Sequence, residues 1–188
     1  RMAGEICEGF HCHGFHSAKS LRENVVRHIE AGLAKSGRKR SEFTISAPVM
    51  AIMGDTPQEI DTMRERIRQM VGFYGSTSTY KRTFEAHGWE ATFIRLRDKS
   101  RTGQWDTMAD EITDEMLDAF AVTGSYDEIP SLLKAKYGGM LDELLIQLPP
   151  DDFNALADYF DRSLLDADPG PTLIDGAGEA VRRLAGHY

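Results

Sequence analysis

The stretch Phe43 to Met53 constrains the fold of this chain more than any other. Read with the two-residue period of a strand, Ile45, Ala47, Val49, Ala51 and Met53 fall on one face, and Met50 and Ile52 on the other. Apolar character on both faces near a strand's end belongs to a parallel sheet covered by helices on each side. Pro48 has no amide proton to give a ladder, which predicts a bulge or a local break there. Two shorter strand candidates flank this one: Gly9–His13, ended by Gly14, and a segment at 143–148 around Leu144-Leu145-Ile146, stopped by Pro149-Pro150.

Helical signals fill the intervals. Ser20 and Glu23 have capping-box spacing and open a helix through about Ala34, with Leu21, Val25, Ile29 and Leu33 as its buried stripe. Gly37 and the basic run Arg38-Lys39-Arg40 close it, a solvated helix end rather than a nucleic-acid patch. Thr56-Pro57-Gln58-Glu59 starts a second helix that runs to about Phe73. Residues 75–124 then show only short helical pieces, near 80–87, 91–98, 105–109 and 113–120, with no strand signal between them. That is too long for a simple connection and reads as a helical insertion or lid. Ser125 and Glu128 open another capped helix ending near Gly138-Gly139, and Phe153–Leu165 and Ile174–Leu184 form a helical tail.

Strands alternating with helices imply right-handed crossovers and a parallel sheet. Three strands make a poor sheet for so many helices, because each outer strand presents unpaired backbone groups. The opening Arg1-Met2-Ala3-Gly4-Glu5 has helical character but no N-cap, so a fragment of a longer polypeptide or a processed end is expected.

Composition narrows the class. With 188 residues, 41% hydrophobic and 28% charged, disorder, collagen-like repeats and a disulfide scaffold are excluded. No apolar run approaches the ~20 residues of a membrane span, so no membrane partner is expected. A net charge of -8 argues against nucleic acid as a partner. Cys7 and Cys12 are five residues apart, and a short strand between them holds their side chains apart, which predicts free thiols and a cytoplasmic location.

Several passages coincide with a known family. Ala3-Gly4-Glu5-Ile6-Cys7-Glu8-Gly9-Phe10-His11-Cys12-His13 resembles the "AGE-x-x-DG" helix-to-strand passage of luciferase-like monooxygenases. Phe73-Tyr74-Gly75-Ser76-Thr77-Ser78-Thr79-Tyr80, His87-Gly88-Trp89 and the passage from Ile112 to Val122 resemble the subgroup usually assigned to the deazaflavin coenzyme F420. Tyr137-Gly138-Gly139 leading to Asp142 is similar to the passage before that family's last barrel strand. As an ordered set these passages cover the chain to about Pro150.

The resemblance implies an α/β fold: the C-terminal portion of a (β/α)8 TIM barrel over residues 1–150, with a helical tail over 151–188. About three parallel strands (near 9–13, 43–53 and 143–148) would correspond to the sixth, seventh and eighth, with the helical insertion 75–124 before the last. It further implies a flavin- or deazaflavin-dependent oxidoreductase or monooxygenase acting on a small organic substrate. Coenzyme F420 is the implied cofactor and FMN the alternative. In relatives much of the ring pocket and the acid/base residues come from the first five strands, so no catalytic residue is carried over. The missing N-terminal half or a second copy would complete the barrel, and a homo-oligomer is expected. The competing expectation is a non-enzymatic, truncated-barrel interaction or assembly module.

Parallel barrels work at the carboxyl ends of their strands, here His11–Phe15, Ala51–Asp55 and Gln147–Pro149. His11 and His13 share a strand face, and Cys12 points the other way. If that face is inward, His13 lies nearest the mouth, where an imidazole suits a ring or substrate oxygen; a histidine satisfied by its neighbours is the weightier alternative. The same alternation argues against a metal among His11, Cys12, His13 and His16, and none is expected. The turn Gly124-Ser125 precedes a helix whose free amides suit a phosphate, although Asp127 and Glu128 oppose an anion and simple capping explains Ser125 more readily. The cofactor-facing candidates are therefore His11, His13, Gly14, Gly124 and Ser125. Tyr74, Tyr80 and Trp89 are the substrate or lid candidates, with packing inside the insertion an equal explanation.

Overall fold

A computed structural model of the chain describes residues 1–146. The expected tail at 151–188 and the last two residues of the strand expected at 143–148 lie outside the described residues.

The sheet is parallel throughout and organised on one strand. A short helix α1 (Met2–Ile6) leads into β1 (Gly9–His11), and β2 (Thr44–Met53) is the long central strand. Thr44–Ser46 pair with β1, and Ser46–Val49 pair with β4 (Glu143–Ile146). Because Ser46 pairs with both, β1 and β4 lie on opposite edges of β2. Asp142 sets the β4 register: its amide donates to the Ile45 carbonyl (2.8 Å) and its carboxylate accepts the Ile45 N–H (2.7 Å).

A fourth strand, β3 (Ala121–Gly124), pairs with Met50–Met53 inside the stretch expected to be wholly helical. The helix α6 (Asp114–Phe120) runs into it without a loop. Its Met116, Leu117 and Phe120 continue into Ala121 and Val122 as one apolar run, so periodicity alone does not separate helix from strand. The insertion therefore stands before β3 as well as before the last strand.

The two faces of β2 divide the core as their pattern requires. Ile45, Ala47, Val49, Ala51 and Met53 pack with Leu21, Val26, Ile29 and Leu33 of α2 (residues 18–36) and with Ile129, Leu133 and Tyr137 of α7 (Ile129–Tyr137). Met50 and Ile52 instead join Met63, Ile67 and Val71 of α3 (Pro57–Gly75) and the aromatic core of the insertion. That core includes Phe84 of α4 (Lys81–Glu85), Phe93 and Leu96 of α5 (Glu90–Arg101), and Leu117 and Phe120 of α6. The helix α3 thus belongs with the insertion layer.

Three local expectations are corrected. Ser125 does not open the helix α7, which begins at Ile129 with no side-chain cap. The α2 helix is capped by Ser17, not Ser20: the Ser17 hydroxyl accepts the Ser20 N–H, and Ser20 returns the contact as the third residue of the box. The strand β2 also runs through Pro48 without a break. Cys12 N–H donates to the Ser46 carbonyl and Asp142 N–H to the Ile45 carbonyl, so even-numbered residues of β2 face the β1 edge. Pro48 has no N–H to give the Cys12 carbonyl, so the ladder to β1 ends there, while β2 continues unbroken on the edge it shares with β4.

The α1 and α2 helices cross closely. A Cβ on Gly4 would lie 2.3 Å from the Ile29 carbonyl oxygen, and one on Gly32 2.1 Å from that of Arg1. Among the described residues, no helix is long and apolar enough to cross a membrane.

Candidate functional site

The carboxyl end of β1 opens onto a cleft of about 350 Å³ lined by His11, His13, Gly14, Pro48, Met50 and Tyr74 among others. It forms because the chain leaves β2 after Cys12 and crosses over Pro48: a Cβ on Gly14 would stand 3.0 Å from the Pro48 Cβ. Both histidines fall on the cleft side of the strand. His11 Nδ1 lies 2.9 Å from the Ser46 hydroxyl. His13 Nδ1 accepts the Phe15 N–H at 3.1 Å, which puts the ring's proton on Nε2. Cys12 points oppositely, into the α2 and α7 core, where burial pushes its thiol up to about 11.

Aromatic rings frame the His13 imidazole. Tyr74 meets it edge-on at 5.4 Å and Tyr80 lies 5.1 Å away, with Phe15 tilted against Tyr80 at 4.7 Å. Burial, with Tyr74 beside it, holds the Tyr80 phenol above its ordinary range. The cleft is thus an apolar and aromatic floor with two imidazoles at its rim, a surface suited to a flat heteroaromatic ring bearing polar edges.

The other candidates stand elsewhere. Trp89 stacks flat on His87 at 4.1 Å and packs toward Phe84 and Phe120. His87 Nε2 lies 2.6 Å from the Ser17 hydroxyl, which ties the start of α2 to the insertion, and burial lowers the His87 pKa. Gly124 is the last residue of β3, paired with Met53. At Ser125 both the amide and the hydroxyl donate to the Glu128 carboxylate, at 2.9 and 2.8 Å, so an anion there would have to displace that side chain. Among the described residues no three histidine, cysteine or acidic side chains are grouped to hold a metal.

The sequence alone does not mark Met50 and Met70 as cleft residues, includes Phe15 only as the end of a strand segment, and weighs His16 only as a metal ligand. His16 is buried, and its Nε2 donates to the Pro48 carbonyl at 3.1 Å. The signal for Met50 was its place on the second face of β2; for His16 nothing along the chain marks a partner 32 residues away.

The chain as a whole has known relatives. The family model described as luciferase-like monooxygenase matches residues 1–143. An uncharacterised protein of Mycobacterium tuberculosis (strain H37Rv) is 38% identical over 144 residues, covering 77% of this chain and 42% of that protein. The 5,10-methylenetetrahydromethanopterin reductase of Archaeoglobus fulgidus is 29% identical over 137 residues, 69% of this chain and 39% of the enzyme. Among solved structures, the coenzyme F420 dependent tetrahydromethanopterin reductase from Methanopyrus kandleri superposes with a TM-score of 0.61 at 22% identity, over 84% of this chain and 44% of that one. The shared architecture is a partial TIM barrel. The chain spans about two-fifths of the length of the curated relatives it matches.

Proposed function

This chain belongs to the luciferase-like monooxygenase family, a family of oxidoreductases, and we propose that it is the C-terminal part of a cytoplasmic enzyme that binds coenzyme F420, or FMN in its place, and acts on a small organic substrate. One observation carries the reading: His11, His13 and Tyr74 converge on one cleft at the carboxyl end of β1, the end where parallel barrels do their chemistry. The preference for F420 rests on the passages at 73–80, 87–89 and 112–122.

When bound, such a ring gives or takes a hydride, and the protein supplies position and water exclusion. Pro48, Met50 and Phe15 offer the ring an apolar bed. His13, its Nδ1 occupied by the Phe15 amide, offers its Nε2 proton to a carbonyl of the cofactor or substrate. Tyr74 and Tyr80 close the side toward the insertion. Gly124 and Ser125 would join a phosphate contact only if the Glu128 carboxylate swung away from them.

The remaining barrel strands come, on this reading, from an N-terminal half or a second copy of the chain. All three residues of β1 are exposed, and Phe10 and Leu145 on the two edge strands carry exposed apolar side chains. The same edges favour a second reading, a truncated-barrel assembly module without activity.

Titration with F420 and with FMN, followed by visible absorbance and fluorescence, separates the two. The protein carrying all its barrel strands is expected to bind one ring cofactor. His13→Ala is expected to weaken binding roughly tenfold, the size of one hydrogen bond. An intact barrel that binds neither cofactor refutes the enzyme reading.

A further inference from the structure

We infer that His16 is a positioning residue of this cleft: its imidazole takes the ladder place on β2 that β1 vacates, and so holds the His13–Phe15 loop open over Pro48. The inference rests on the proposed cofactor reading only for what the cleft binds; the loop geometry stands without it.

The last ladder bond between β1 and β2 runs from the Cys12 N–H to the Ser46 carbonyl at 2.8 Å. The next acceptor on that edge is the Pro48 carbonyl, two residues on. A regular parallel ladder would satisfy it with the amide of residue 14. The chain has risen away by then, and the His16 ring donates to it instead, at 3.1 Å. Pro48 offers no amide to the same edge, so one side-chain bond completes it.

The loop so released is tied at each turn. Phe15 N–H donates to the His13 ring at 3.1 Å, and His16 N–H donates to the Gly14 carbonyl at 3.1 Å. Immediately beyond, the Ser17 hydroxyl contacts His87 on the insertion at 2.6 Å. The cleft exists because residues 12–15 line it rather than extend the ladder.

An ordinary core histidine does not explain these contacts. The His16 ring is 6% exposed and meets Tyr137 edge-on at 5.7 Å, while its Nδ1 is buried with no hydrogen-bond partner. A phenyl ring would fill the space without stranding a nitrogen. What the imidazole adds is a single N–H, aimed at Pro48.

Histidine-detected proton–nitrogen NMR of the 188-residue chain, free of cofactor, tests this directly. In the wild type, His16 is expected to show an exchange-protected Nε2–H with an unprotonated Nδ1, and His13 a single Nε2–H tautomer. His16→Gln, which keeps a donor, is expected to preserve the His13 tautomer; His16→Phe, which keeps only the ring, is expected to lose it while the helical circular dichroism is retained. For the cofactor-competent protein, affinity for F420 falls roughly tenfold in H16F and stays within about twofold in H16Q. A wild-type His16 without a protected Nε2–H overturns the inference even where a variant fails to fold, as does an unchanged His13 tautomer in H16F. Failure of the wild type to bind either cofactor, with the tautomers as expected, counts against the cofactor reading and leaves the positioning role standing.

Discussion

Mild acid is expected to destabilise this chain through His16 before its carboxylates respond. Burial pushes the imidazole down from 6.5 to about 4; the bond to the Pro48 carbonyl works against that shift, and the charges of His13 and Lys136 add to it. The unfolded chain therefore takes up a proton between pH 6.5 and about 4 that the folded chain refuses. Stability is unaffected above that window, falls as the pH drops through it, and stops falling on this account once both states are protonated. From about pH 7.5 to about pH 5 the loss works out at about 2 kcal/mol for this one group. For a protein of this size that lowers Tm by roughly 4–8 °C. Urea and thermal unfolding of the wild type and of His16→Gln at both pH values isolates the effect. His87, whose pKa burial also lowers, contributes equally to both proteins and cancels in the difference. The wild type is expected to lose about 2 kcal/mol more than the variant between the two conditions. Equal losses in the two proteins would refute the argument, because His16 would then titrate alike in the folded and unfolded states.

Other expectations follow from packing. Of the two thiols, Cys7 is exposed and Cys12 buried, so a thiol reagent at neutral pH should label one site at once and the other only at the rate of unfolding; two fast sites would mean that the α2 side of the sheet is open. Gly32→Ala places a Cβ against the Arg1 carbonyl, where backbone faces backbone, and is expected to cost roughly 1–3 kcal/mol in urea unfolding, while Ala at the exposed Glu30 of the same helix leaves stability nearly unchanged. Leu117 is fully buried beneath β3, and Leu117→Ala is expected to cost roughly 2–5 kcal/mol, with hydrogen exchange loosening first in Ala121–Gly124.

Much of the fold was written in one strand. The alternation along Ile45 to Met53 already separated the residues that meet α2 and α7 from those that meet the insertion, and it held because a strand buried on both sides leaves no polar compromise to blur the pattern. The helix start at Thr56 was legible because capping is a local contact between residues three apart. At Ser125 the same spacing misled: Glu128 does accept the Ser125 amide, but the helix begins only at Ile129 and carries no side-chain cap. The start of α2 was misplaced for a related reason: Ser17 and Ser20 are equally good caps in isolation, and the choice depends on the Ser17 hydroxyl also meeting His87, 70 residues on. The strand β3 stayed hidden because four residues are too few to show a period and a helix abuts them.

The candidate site divides along the same line. His11 and His13 were recoverable from alternation, since a two-residue period fixes a face whatever lies opposite it. Their usefulness depends on something alternation cannot convey, the departure of the chain from the ladder after Cys12. Pro48 was recognised as a gap in the hydrogen bonding and read as damage to β2; in the folded chain it faces the edge that β1 has vacated. With no donor at Pro48 the ladder to β1 stops after Cys12, and the Pro48 carbonyl that remains is free to accept a side chain. Pro48 and His16 are therefore two halves of one arrangement: the proline needs no partner for a donor it lacks, and the histidine supplies one for the acceptor it keeps. The cleft opens where the ladder ends for that reason.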